Sequence, residues 1–262
     1  MKRTLIKNFD YSLFLEPIAS LARGAMVYDS SCSPEARVYF IDRDSGYYLK
    51  RARAGALARE AEMDGYFHSL GLGAEVVDYR TSEFDYLLTR RVEGEDCTHE
   101  KQLADPKRLA ELLGTELRKL HELRYTGCPV QHRTTEYLAT AEENYRTGNY
   151  DKSQVPDSFG YRNAEEAYAV LKDGKEALCE DTLIHGDFCL PNIILKNGAF
   201  SGYIDLGASG VGDRHIDLFW GAWTLWFNLG TDEHRDRFFY AYGRDKVDKE
   251  ILKIVAACEV FG

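Results

Sequence analysis

An α+β fold in two lobes is what the sequence predicts: a small antiparallel β lobe with one helix over residues 1–91, and a larger, mainly helical lobe over residues 92–262. Three observations predict it. Short aromatic and β-branched runs divided by turn residues fill the first ninety positions, with a single helical stripe among them. Leucines at helical spacing behind good caps follow position 105. The length of 262 residues suffices for two modest lobes joined by a connector.

The first lobe opens its readable part with Arg37-Val38-Tyr39-Phe40-Ile41 and Gly46-Tyr47-Tyr48-Leu49-Lys50, which flank Asp42-Arg43-Asp44-Ser45 as a hairpin. A helix follows, because Ala56, Glu60, Met63, Phe67 and Leu70 fall at i, i+4, i+7, i+11 and i+14. Glu60 is a charge inside that apolar stripe, and burying a carboxylate is costly unless it is paired. Lys50, at the end of its strand, is the expected partner; Glu62 and Asp64 are rival acids off the stripe or at its flank. Residues 73–79 and 85–89 read as two further strands, and the connector lies near 90–97.

Beyond it the pattern is helical. Asp105-Pro106 is a cap and first-turn pair ahead of Leu109, Leu112, Leu113, Leu117 and Leu120. Asn163 caps a helix through Leu171, and Asp248 opens the last one.

Thirty-three basic against 43 acidic residues give a net charge of −10, which disfavours nucleic acid and suits a cationic small substrate. No apolar run of membrane length and no signal peptide is read. Six scattered cysteines without a C-x-x-C pair fit reduced thiols in a cytoplasm. The expectation is a monomer or homodimer without a membrane or nucleic-acid partner.

The chemistry concentrates between Leu183 and Asp217, which contains His185-Gly186-Asp187, Asn192 and Ile204-Asp205-Leu206-Gly207. Asn197-Gly198 is the favoured two-residue hairpin turn. Counting outward from it pairs Lys196 with Ala199 and Asn192 with Tyr203. Asp205 then lies on the face of Asn192, about 7–8 Å away diagonally. An amide oxygen and a carboxylate at that separation suit Mg2+. Asp187, five residues before Asn192, is presented by a loop. Asp, four residues, Asn, then Asp-x-Gly is the order of kinase catalytic and metal-binding loops.

On these residues the chain resembles the aminoglycoside phosphotransferases, particularly the aminoglycoside 3'-phosphotransferase branch of the protein-kinase-like fold. The close match covers about residues 183–217; a weaker one takes in Leu87-Leu88, Glu93-Gly94 and Leu120-His121-Glu122-Leu123. The resemblance implies phosphorylation of a small-molecule hydroxyl by ATP, with Asp187 at the acceptor hydroxyl, Asn192 and Asp205 on magnesium, and ATP between the lobes. It further implies a phosphate loop at Asp29–Glu35 with Ser31 and Ser33, Lys50 paired with Glu60, and backbone groups of Arg90 and Val92 at the purine. His185 and Asp217 are read as structural supports of the catalytic loop.

The acceptor side departs from the family. Leu190, Ala208, Trp223 and Phe227 stand where acidic and arginine side chains surround the aminoglycoside, and Asp151 and Asp157 are the nearest remaining acids. Trp223, Phe227 and Glu259 are therefore the candidate acceptor residues, for an aminoglycoside or another acceptor of choline, sugar or homoserine type. Two rival classes stay open: a metal-dependent hydrolase built on His185-x-Asp187 and His215-x-Asp217, and an inactive nucleotide-binding module.

Overall fold

The computed structural model describes residues 3–11, 14, 16–151 and 159–262. In chain order it begins with β1 (Thr4–Leu5), α1 (Ile18–Ala22), β2 (Met26–Asp29), β3 (Ala36–Asp42) and β4 (Tyr47–Arg53). Then come α2 (Ala58–Ser69), β5 (Val76–Thr81), β6 (Phe84–Arg90) and β7 (Glu95–Asp96). The helical part follows with α3 (Glu100–Leu103), α4 (Pro106–His121), α5 (Arg133–Thr147), α6 (Ala164–Gly174) and the short strand β8 (Thr182–Ile184). The hairpin β9 (Ile193–Lys196) and β10 (Ala199–Tyr203) precedes β11 (Gly210–Gly212), α7 (Arg214–Leu229), α8 (Arg235–Tyr242) and α9 (Lys249–Glu259).

The chain divides into two compact units. The first holds Met1–Cys97 together with Pro191–Gly207; the second holds Thr98–Leu190 with Ala208–Gly262. This division differs from a single cut after residue 91, because the β9–β10 hairpin clusters with the N-terminal unit. Backbone pairing is the reason. Asp96 of β7 pairs with Ile194 of β9, Cys97 N donates to the Ile193 carbonyl at 3.1 Å, and Tyr203 N donates to the Leu72 carbonyl at 2.7 Å.

In the first unit, β1 to β6 form one antiparallel sheet in the order β1-β2-β3-β4-β6-β5. The hairpin expected across residues 42–45 is present, with Ile41 opposite Tyr47. One sheet face buries Val27, Ile41, Leu49 and Leu88 with Ile18 and Ala22 of α1. Ala52 and Leu87 bury against Leu57 at the head of α2. Asp85 fixes that head: its Oδ2 accepts from Leu57 N at 2.8 Å. Glu60, Met63 and Phe67 are buried as the stripe requires, whereas Ala56 precedes the helix and Leu70 follows it.

The predicted caps are formed. Asp105 accepts from Arg108 N, Asn163 from Glu166 N, and Asp248 from Glu250 N and Ile251 N. Leu109, Leu113, Leu117 and Leu120 are buried along α4. In the second unit α5, α6 and α9 share a core of Ala141, Ala167, Leu171, Ala257 and Phe261. Among the described residues no helix is long and apolar enough to cross a membrane.

Candidate active site

Asn197 and Gly198 take φ of 54° and 76°, and they close the β9–β10 hairpin as the sequence predicts. The register beyond the turn is different. Lys196 opposes Ala199 and Leu195 opposes Phe200, but a bulge at Ser201 then places Gly202 opposite Ile194 and Tyr203 opposite Ile193. Ser201 Oγ donates to the Glu93 carbonyl at 2.6 Å, anchoring the bulge. Asn192 therefore does not oppose Tyr203; it lies in a short helical turn, Leu190–Asn192, and its carbonyl accepts from Ile204 N at 3.0 Å. Asp205 has left the strand at φ 63°, a left-handed conformation that aspartate tolerates better than most residues. Asn192 and Asp205 thus share no strand face, yet both line one cavity of the first unit.

That cavity has a volume of about 330 Å³. Lys50 Nζ lies 2.5 Å from Glu60 Oε1 and 2.8 Å from Asp205 Oδ1. Burial opposes the ammonium charge, but attraction by Glu60 and Asp205 outweighs it and holds Lys50 above its usual range. Asp64, one turn after Glu60 and 5% exposed, also lines the cavity. Burial, reinforced by the charge of Glu60, holds its carboxyl well above the usual range. Two acids thus contact the lysine, and a third lines the same cavity. Asp64, a rival acid in the sequence, stands at i+4 from Glu60, and that spacing puts it on the same helix face.

Ser33 lines the cavity with Ser30 and Cys32, whereas Ser31 serves the loop itself: its Oγ accepts from Val38 N at 2.9 Å. Arg90 and Val92 border the same space. The Arg90 side chain is turned to Glu75 at 2.7 Å and to the Tyr47 hydroxyl at 3.0 Å. An amide oxygen and an exposed carboxylate in one wall fit a hard cation that keeps phosphate and water ligands. Among the described residues no group of three or more His, Cys, Asp or Glu side chains offers a closed metal site.

In the second unit, Asp187 follows β8 on a loop that Asp217 holds from the first turn of α7. Asp217 Oδ2 accepts from His185 N and Oδ1 from Gly186 N, each at 2.7 Å. His121 Nε2 is 3.0 Å from Asp217 Oδ2, and its Nδ1 is 2.9 Å from the Tyr242 hydroxyl. Burial lowers the His121 pKa, so the neutral ring donates from Nε2 and accepts the tyrosine proton at Nδ1. His185 Nδ1 accepts from Asp187 N at 3.3 Å. His185 and Asp217 thus act as supports. His215 is engaged at both nitrogens, by Asp213 at 2.7 Å and by Asp248 N at 2.9 Å, so the hydrolase grouping is not assembled.

Gly186 has φ 84°, and a Cβ there would stand 2.0 Å from the Ala208 carbonyl oxygen. Gly186→Ala is expected to displace the Asp187 loop, costing about 1–3 kcal/mol of stability and about ten-fold or more in turnover. Thermal unfolding and steady-state kinetics on the purified variant check this; wild-type values in both would refute it.

A cavity of about 240 Å³ adjoins Asp187, with Arg133, Tyr137, Trp220 and Glu259 in its walls. Glu259 Oε1 accepts from the Tyr137 hydroxyl at 2.8 Å and from Trp220 Nε1 at 2.9 Å. Trp223 and Phe227 are not among its lining residues. They stack on each other, with ring centres 4.9 Å apart, and Phe227 is 63% exposed. Trp220, one turn earlier, lines it. Asp157 lies outside the described residues.

Burial pushes the Glu259 carboxyl up to about 7; its two donors and Arg133 resist the shift and Asp187 adds to it. A carboxyl raised on folding binds more protons folded than unfolded, so its contribution to stability is intact below the ordinary glutamate value and is lost as pH rises toward 7. Glu259→Gln is expected to abolish that decline, gaining up to about 3 kcal/mol over wild type at pH 8 and almost nothing at pH 4. Thermal unfolding from pH 4 to 8 tests it; parallel pH curves for the two proteins would contradict it.

Comparison with known proteins gives a consistent picture. A family profile described as "Phosphotransferase enzyme family" matches residues 34–252. The chain is 49% identical over 250 residues to a "Probable aminoglycoside 3'-phosphotransferase" of Lactococcus lactis subsp. lactis (strain IL1403), covering 95% of each chain. It is 27% identical over 252 residues to an "Aminoglycoside 3'-phosphotransferase" of Streptomyces fradiae, covering 91% of each. Among solved structures, an aminoglycoside-3'-phosphotransferase of type VIII superposes with a TM-score of 0.75 at 24% identity, over 91% of this chain and 94% of that one. An aminoglycoside phosphotransferase from Streptomyces rimosus in complex with ADP and streptomycin gives 0.70 at 24% identity, over 86% and 91%. At that identity the structures establish the fold, α+β and protein-kinase-like.

Proposed function

This chain belongs to the phosphotransferase enzyme family, as a small-molecule O-phosphotransferase, and from that premise we propose that it transfers the γ-phosphoryl group of ATP, with Mg2+, to a hydroxyl of an aminoglycoside. One observation carries the nucleotide half of the reading: Lys50, clamped between Glu60 and Asp205 at 2.5 and 2.8 Å, in a cavity wall shared with Asn192. Phosphoryl transfer requires a fixed cation against phosphate oxygens and hard oxygen donors for the metal. Relatives carrying aminoglycoside phosphotransferase names, and the ADP complex of a structural neighbour, support the nucleotide and the acceptor class.

In this reading the first unit binds the nucleotide and the second the acceptor. Lys50 meets phosphate oxygens and Glu60 keeps its ammonium in place. Asn192 and Asp205 are the protein's oxygen donors to magnesium, which when bound neutralises phosphate charge. Asp187 orients the acceptor hydroxyl and takes its proton. The acceptor oxygen bonds to the γ-phosphorus as the bond from that phosphorus to the bridging oxygen breaks, and ADP leaves. The six cysteines, all free thiols, are consistent with a cytoplasmic setting.

A second acceptor reading, a choline-, sugar- or homoserine-like metabolite, is favoured by the cavity at Asp187. It is small, at about 240 Å³. Incubating the protein with Mg–ATP and a panel of aminoglycosides, choline, homoserine and sugars distinguishes the readings through ADP release and the mass of the product. A phosphorylated aminoglycoside supports the first reading, and turnover only with the small metabolites the second. ADP release dependent on no acceptor would defeat both.

A further inference from the structure

Three arginines stand together on the sheet face turned away from Lys50. Directly opposed residues of adjacent strands share a face, as do residues two apart on one strand. Arg37 of β3 opposes Arg51 of β4, and Arg53 lies two residues beyond Arg51. Lys50 opposes Val38 and Leu87, and these three line the cavity on the other face. Leu49, two residues before Arg51, is covered by Ile18 and Ala22 of α1, whereas Arg53 at the strand end is exposed.

Like charges directly opposite in a sheet are destabilising, yet Arg37 and Arg51 face each other with Cβ atoms about 5 Å apart. Little in the protein offsets them. Asp29 stands 3.9 Å from Arg37, whose side chain is 67% exposed, and it already accepts from Ser31 N at 2.9 Å. Glu35, just before β3, is engaged by the Ser33 side chain. Among the described residues neither Arg51 nor Arg53 has an ion-pair partner.

Arg51 is the anchor of the group. Its guanidinium lies 3.8 Å over the Phe84 ring, and its buried Nε has no hydrogen-bond partner among the described residues. Stacking orients the guanidinium without consuming its N–H groups. A ligand therefore meets a fixed fork, the shape that suits phosphate oxygens in pairs. The extent of the patch limits the anion. Three arginines fall short of the about four to eight basic residues that hold a chain on an anionic membrane. A long polyanion such as nucleic acid would run onto the acidic remainder of a chain of net charge −10 and be repelled. A small anion with several charges meets neither obstacle. We propose that Arg37, Arg51 and Arg53 form an outer anion site for a small, multiply charged phosphate compound of the pyrophosphate type, separate from the Lys50 cavity.

Titration calorimetry of the full chain with pyrophosphate, without magnesium and at constant ionic strength, tests it. The wild type is expected to bind with a Kd of about 1 mM or tighter. Arg51→Gln and Arg37→Gln are each expected to weaken binding about ten-fold, and Arg53→Gln about three-fold. Absence of wild-type binding up to about 10 mM pyrophosphate overturns the site. Affinity that stays within about two-fold of wild type in both the Arg37 and Arg51 variants places the anion elsewhere and overturns it as well. The Arg37 side chain is largely exposed, so its variant decides the matter even if Arg51→Gln does not fold.

Discussion

Asp187→Ala is expected to lower phosphoryl transfer by about 10³-fold while nucleotide affinity stays within two-fold of wild type. The separation follows from where the groups sit: Lys50, Glu60, Asn192 and Asp205 belong to the first unit, and Asp187 to the second. The loop keeps supports other than the lost carboxylate. Asp217 holds the His185 and Gly186 amides, and His185 Nδ1 receives the Asp187 amide, which alanine retains. In the proposed function, what disappears is the acceptor for the hydroxyl proton and the group that aligns the attacking oxygen. Some rate survives, because transfer draws much of its acceleration from positioning and from charge on the phosphates. Acceptor-dependent ADP release measures the first effect and titration calorimetry the second. A variant turning over at the wild-type rate would remove Asp187 from its role, and one that also loses nucleotide would show that the carboxylate supports the fold of the loop.

Much of this arrangement was legible because its signals are local. Asn197-Gly198 dictates a two-residue hairpin turn through backbone preferences alone. Asp105, Asn163 and Asp248 declare helix starts because a short oxygen-bearing side chain meets the first free amides there. Lys50 and Glu60 are found together because a carboxylate in an apolar stripe has to be paired. The misreadings were of another kind. The Ser201 bulge shifts Asn192 by one position from its expected partner, and it is fixed by the Glu93 carbonyl, over a hundred residues away in sequence. The β9–β10 hairpin joins the N-terminal unit through β7 and Leu72, pairings that no linear division anticipates. On α7, Trp220, Trp223 and Phe227 look alike to a periodicity argument. Only the packed neighbours of Trp220, Tyr137 and Glu259, mark it as the residue lining the Asp187 cavity.

Lys50→Met is the second large effect, and it reaches stability as well as activity. Methionine preserves most of the apolar stem but removes the ammonium at 2.5 Å from Glu60 and 2.8 Å from Asp205. Glu60 and Asp205 lose the ammonium they share, with Asp64 lining the same cavity. Phosphates arriving there meet carboxylates, so Mg–ATP affinity is expected to fall about 100-fold or more, the scale of a lost close charge contact in a desolvated site. Breaking a buried pair from one side costs about 3 kcal/mol at pH 8, most of it at Glu60, because Asp205 is half exposed and water screens it. Protonation relieves that cost. Glu60 and Asp64 are already held above the usual carboxylate range, and loss of the lysine raises both further. Groups raised on folding keep their contribution at low pH and lose it as pH climbs, so the variant's deficit should shrink toward pH 5 and widen toward pH 8. Thermal unfolding across that interval, with calorimetry of Mg–ATP, measures both parts. A deficit independent of pH would mean that the lysine does not hold these acids charged, and undiminished nucleotide affinity would place the phosphates elsewhere.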